Sequence, residues 1–82
     1  MVNQVALVGE YELLFQGEVY EGWWLEMKVD EETFRVKVWK GIADALADKP
    51  SGTIIAVKGK LSYGDDMPLH VVAERVSVMT ME

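Results

Sequence analysis

Phe34-Arg35-Val36-Lys37-Val38-Trp39-Lys40 alternates without a break, and the rest of the chain is read outward from it. Successive side chains on a β-strand leave opposite faces. Phe34, Val36 and Val38 therefore form one row, suited to a core, and Arg35, Lys37 and Trp39 form the other. A half-buried strand ordinarily carries plain polar residues on its wet side. Here that side carries two cations and an indole. Cations meet phosphate, and an indole offers a flat surface to an unpaired base, so the pattern suits a single nucleic-acid strand.

The flanking segments extend the β pattern on both sides. Residues 18–29 read as a second strand, with Trp23, Leu25, Met27 and Val29 on the core parity and Trp24, Glu26 and Lys28 outward. Gly22 marks a bulge, and Asp30-Glu31-Glu32 forms an acidic hairpin loop. Residues 2–15 read as a long first strand, with Val5, Leu7, Tyr11 and Leu13 on one parity. Gly9 breaks that row and predicts a bulge or bend, which lets one strand serve two sheets. Gln16-Gly17 is the turn that follows.

Beyond Lys40 the period changes. Ile42, Ala45 and Leu46 stack at helical spacing, and Lys49-Pro50-Ser51-Gly52 ends the run, which predicts a helix over 42–48. Residues 53–61 form a fourth strand, with Ile55, Val57 and Leu61 inward, Ile54, Ala56, Lys58 and Lys60 outward, and a bend at Gly59. Tyr63-Gly64-Asp65-Asp66 is a turn, and residues 69–79 form the fifth strand. Its parity slips between Ala73 and Val76, which predicts a bulge near Glu74-Arg75. The expected fold is all-β: a five-stranded OB-fold Greek-key barrel, with one short helix between strands three and four, formed by residues 1–82 as a single domain.

Composition narrows the function. The 82 residues include no cysteine and one histidine, His70, so no disulfide framework, thiolate metal site or cofactor is expected. No apolar run approaches the ~20 residues that span a bilayer, and no signal peptide opens the chain, so a cytoplasmic protein without membrane partners is expected. Ser51, Ser62 and Ser77 stand in no nucleophile motif, the acids lack a base or metal-ligand spacing beside them, and no enzyme is expected.

Fourteen acids against eight bases give a net charge of −6, which opposes nucleic-acid binding unless the charges are segregated. The strand pattern segregates them. The outward residues around strands two to four are Trp24, Lys28, Arg35, Lys37, Trp39, Lys40, Lys58 and Lys60, with Glu26 the one intruding acid. In this pattern Trp39 stacks on a base and Trp24 on a second, while Arg35, Lys37, Lys58 and Lys60 track phosphates. About four such contacts predict a salt slope near −3 on a single strand. Two bland placements compete. Trp39 is covered by a partner or by the helix, and a one-residue slip exchanges Trp24 with Trp23. Tyr11, Phe15, Tyr20 and Tyr63 are expected to pack in the core or loops.

Several stretches resemble the bacterial single-stranded DNA-binding protein family. Val5-Ala6-Leu7-Val8-Gly9 is similar to its opening strand, and Phe34 to Lys40 with Ala43-Asp44 to its third strand and helix entry. Gly52 to Leu61 resembles the fourth strand and Val71 to Val76 the fifth. The resemblance implies a base-stacking aromatic at Trp39 and a backbone-proximal cation at Lys60. It also implies homo-oligomers, dimers or tetramers, and replication, repair or recombination partners. The chain departs from the family pattern at Glu10, where a basic residue is usual, and in its short loops; it is also expected to lack the family's acidic-tipped tail. The alternative is an OB-fold protein-interaction module, similar to a primosome accessory, with weak or lost DNA binding, meeting its partner through the outward apolar residues Trp24, Trp39 and Ile54.

Overall fold

The computed structural model describes residues 3–18, 21–64 and 67–79, with backbone alone at 64, 67 and 68. The elements run β1 (Val5–Gln16), β2 (Trp23–Val29), β3 (Glu32–Val38), α1 (Lys40–Leu46), β4 (Ile54–Gly64) and β5 (Met67–Val78). They close a barrel in the order β1-β2-β3-β5-β4. All pairings are antiparallel except β3 with β5, where Val36 meets Val71 and Lys37 meets Val72. Expectations for Tyr20, Asp65 and Asp66 fall outside the described residues.

β1 serves both halves of the barrel, as its glycine implied. Residues 5–10 pair with β4 and residues 10–16 with β2. Gly9 is the point of closest approach, where a Cβ would run into the Lys28 carbonyl oxygen. The register shift itself lies further on: Tyr11 pairs with Met27 but Leu13 with Glu26. The extra residue reverses the face of everything after it, so Leu13 is exposed while Leu14 packs on the core. The expected core position at Leu13 is thereby corrected to Leu14.

The bulge expected near Glu74-Arg75 is present. Ala73 pairs with Gly59 and Arg75 with Lys58, leaving Glu74 as the inserted residue. Gly59 lets β4 and β5 close, since a Cβ there would run into the Val72 carbonyl oxygen. The β2–β3 hairpin turns through Asp30-Glu31, with Asp30 at φ 57°, a conformation that short polar side chains tolerate. The β1–β2 connection is longer than the expected Gln16-Gly17 turn, and the Gly17 amide donates to the Gly22 carbonyl at 2.8 Å.

The core is the inward row of every strand: Leu25, Met27, Val36, Ile55 and Val57, together with Tyr11, Val38, Val71 and Ala73. Burial raises the pKa of the Tyr11 phenol by removing water from its charged form. Ala43 and Leu46 of α1 complete the core, with Ile42 partly buried. The helix begins two residues earlier than expected because Trp39, still extended at ψ 167°, is its N-cap. That start turns Ala43 inward and leaves Ala45 exposed. Among the described residues, no helix is long and apolar enough to cross a membrane. Among the described residues, no group of three or more His, Cys, Asp or Glu could hold a metal ion.

Candidate nucleic-acid interface

β3 carries Arg35 and Lys37 outward and delivers Trp39 just past its end. Trp39 is 64% exposed. Its indole borders an open hollow of about 500 Å³ lined by Lys37, Val38, Val72, Ala73 and Glu74. The expectation of a wet indole beside a cation thus describes the geometry, although Trp39 belongs to the helix cap instead of the strand.

Trp24 differs. Its parity is outward, opposite Lys37 across the β2–β3 ladder and opposite Phe15 across β1–β2. Yet it is only 5% exposed, with its ring meeting the His70 imidazole edge-on at 5.3 Å and 61°. The expected free indole at Trp24 is therefore corrected: the ring is almost wholly buried, with the His70 imidazole of β5 meeting it edge-on and only a small part of it lining a groove beside Arg35. Trp23 is half-buried against the core.

The cations do not form the single patch that parity suggested. On a closed barrel, outward positions point all the way round, and β5 stands between β3 and β4. One row crosses the face as Trp24, Lys37, Val72 and Lys60, so Lys60 lies two strands from Lys37, about 10 Å at ~4.8 Å per strand. Lys58 falls in a different row, opposite Ala6 and Arg75. Lys28 sits near the far hairpin, opposite Glu10 and Thr33.

Carboxylates engage several of the remaining cations. The Arg35 guanidinium donates to Glu26 at 3.2 Å and lies 5.7 Å over the Phe15 ring. Lys40 pairs with Asp44 at 3.2 Å, one helical turn on. Lys60 pairs with Glu74 at 3.4 Å. Glu74 is the acid that sequence parity missed, because the bulge sets it beside the hollow. Among the described residues, Lys28, Lys37, Lys58 and Arg75 have no carboxylate partner. Lys37 alone of these borders the Trp39 hollow.

A larger apolar groove of about 970 Å³ opens beside Arg35. Phe15 and Gly17 wall it from the β1–β2 side, Phe34 and Arg35 from β3, and Leu61, Leu69 and His70 from the β4–β5 hairpin. Leu69 is 62% exposed, and nearby Tyr63 is 79% exposed. Sequence reasoning assigned Tyr63 to packing. Its location at the tip of a hairpin was the available signal that its ring lacks neighbours.

No family model matches the chain, and no curated protein matches it by sequence. Solved structures do match. A chain of a replication protein A heterotrimer bound to single-stranded DNA superposes with a TM-score of 0.69 at 9% identity. That match covers 98% of this chain and 60% of the other, so this chain spans about three fifths of that relative's length. The dimeric N-terminal domain of PriB from Thermoanaerobacter tencongensis matches with a TM-score of 0.69 at 21% identity, over 96% of this chain and 98% of that one. Rim1, a mitochondrial single-stranded DNA-binding protein of S. cerevisiae, gives 0.64 at 10% identity, over 93% and 94%. At these identities the likeness is one of fold: the chain is an OB-fold barrel.

Proposed function

We propose that this barrel binds single-stranded DNA with little sequence preference. The observation that carries the proposal is the exposed indole of Trp39, held at the rim of a hollow beside Lys37, which has no carboxylate partner among the described residues. Ligands of OB-folds use the face of strands two and three and the loops joining strands one–two and four–five. The Arg35 groove borders that region, with lining residues from β2, β3 and the β1–β2 connection, and the Trp39 hollow lies beside it between the end of β3 and β5. In this arrangement a base stacks on Trp39, Lys37 meets a phosphate, and Arg35 exchanges Glu26 for a second phosphate. A stacked base contributes roughly 1–3 kcal/mol. Two phosphate contacts give a salt slope of about −1.4, half the value the sequence suggested. Stacking therefore supplies most of the affinity, which suits a chain of net charge −6. Replication, repair or recombination assemblies are the setting in which such binding serves.

The test is a titration of labelled oligo-dT at low salt, read by anisotropy. Saturable binding at tens of micromolar protein or below is expected, on the order of a weak-to-moderate complex. No binding in that range overturns the proposal.

A protein-interaction module is the competing function, favoured by the exposed Leu61, Tyr63 and Leu69 beside the apolar groove. It requires a protein captured through that rim in a form that excludes oligonucleotide. Trp39→Ala leaves such capture unchanged, whereas it weakens oligo-dT binding.

A further inference from the structure

Glu74 is an acid at the edge of a site for a polyanion, and stacking on Trp39 with a phosphate at Lys37 gives it no role. The parallel register of β3 with β5 sets Lys37 beside Val72, so the end of β3 and the middle of β5 wall the same hollow. Val38, Val72 and Ala73 line it with apolar surface, while Trp39, Lys37 and Glu74 bring an aromatic, a cation and a carboxylate to it. Glu74 reaches the hollow through the bulge: Ala73 pairs with Gly59 and Arg75 with Lys58, and the residue between them stands outside the ladder. Lys60 engages Glu74 Oε2 at 3.4 Å. A carboxylate offers roughly four acceptor positions, so one ammonium leaves most of them open. The Glu74 side chain stays 54% exposed, within reach of a ligand in the hollow.

A carboxylate repels phosphate and accepts from N–H donors. A strand in this hollow therefore turns its phosphate toward Lys37 and a base edge toward Glu74. Bases differ at that edge. Guanine presents two adjacent donors, N1–H and the 2-amino group, which match the two oxygens of one carboxylate. Cytosine and adenine present an amino donor beside a ring acceptor. Thymine presents a single imide N–H between two carbonyl oxygens, which a carboxylate repels. We propose that Glu74 reads the base stacked on Trp39 and selects guanine over thymine at that one position. The selection rests on the stacking at Trp39 and leaves the other nucleotides unread, so the strand as a whole is bound with little preference. A good bidentate base contact discriminates by ~5- to 150-fold, and the half-exposed Glu74 puts the expected preference at the low end, about fivefold. Lys60 is a positioning residue here, holding the carboxylate at the hollow.

Three labelled strands of about eight nucleotides, within the length one OB barrel covers, test the proposal by anisotropy with the full chain. One is oligo-dT; the second carries deoxyguanosine at alternate positions; the third carries deoxyinosine there, which keeps N1–H and lacks the 2-amino group. Low-salt lithium buffer keeps the guanines from forming tetrads. The guanine strand should bind about fivefold more tightly than oligo-dT, and more tightly than the inosine strand. Purines also stack better than thymine, so the guanine-to-inosine ratio is the decisive reading. In Glu74→Ala that ratio should fall to about one, while oligo-dT binds as well or better because a negative charge has left the phosphate path. A ratio near one in the unaltered chain overturns the proposal, as does a ratio unmoved by Glu74→Ala or one that survives Trp39→Ala. Weakened oligo-dT binding in Glu74→Ala also overturns it, and assigns the acid to the shape of the site. Where oligo-dT binding persists and depends on Trp39, these results sink the reading of guanine alone; no binding of any strand sinks the stacking as well.

Discussion

Trp24 and Trp39 flank the same lysine on the outward side of the sheet, one across the ladder from Lys37 and the other two residues beyond it. One is sealed against His70 and the other is nearly two-thirds exposed. Parity is the same for both, so parity did not decide their fates. Neighbouring strands did. Trp24 lies one residue inside the start of β2, where it pairs with Phe15 and its ring meets His70 of β5, while Trp39 lies just past the end of β3 and is mostly exposed. The difference lies in the neighbour that each ring meets, not in its distance from the strand end.

The largest consequence of that contrast is in stability. Trp24→Ala should lower the unfolding free energy by about 3–5 kcal/mol, the usual cost of emptying a buried tryptophan site. Urea denaturation followed by circular dichroism measures it, and an unchanged midpoint would erase the distinction between the two rings. Trp39→Ala should stay within about 0.5 kcal/mol in the same assay. It should instead lose about 1–3 kcal/mol of oligo-dT affinity, about 5- to 150-fold.

Smaller effects sharpen the comparison around the lysine the two rings share. Lys37→Ala should weaken oligo-dT binding modestly and reduce the salt slope by about 0.7 in magnitude. Lys40→Ala should leave the slope unchanged, since Asp44 already engages that ammonium. The smallest effect concerns Tyr11 in the core. Its pKa is raised in the folded state, so the stability linked to its neutral phenol is fully present below pH ~10 and is lost as the pH rises through the folded value. Thermal melts should show a shallower decline above that pH in Tyr11→Phe than in the unaltered chain.

The barrel was legible because two-residue alternation, the glycine at 9 and the parity slip at 73–76 are local signals with direct geometric meaning. Trp39 was legible for the same reason. The grouping of cations was not, because alternation gives the side of a sheet and carries nothing about the sector of a closed barrel. Placing Lys58 with Arg75, and Lys60 across β5 from Lys37, needs the strand order. Burial of Trp24 was hidden for a related reason: its cover comes from His70, 46 residues away in the sequence. Glu74 escaped because a bulge expected near it was not carried through to the direction of its carboxylate.

The chain has three tryptophans, two of them sheltered, so its fluorescence response to DNA isolates the third. Titrating oligo-dT into the unaltered chain and into Trp39→Phe at low salt, with emission excited at the indole band, tests the central claim directly. Quenching that saturates in the unaltered chain and vanishes in Trp39→Phe is the expected result. Equal quenching in both, or none in either, would contradict a base stacked on Trp39.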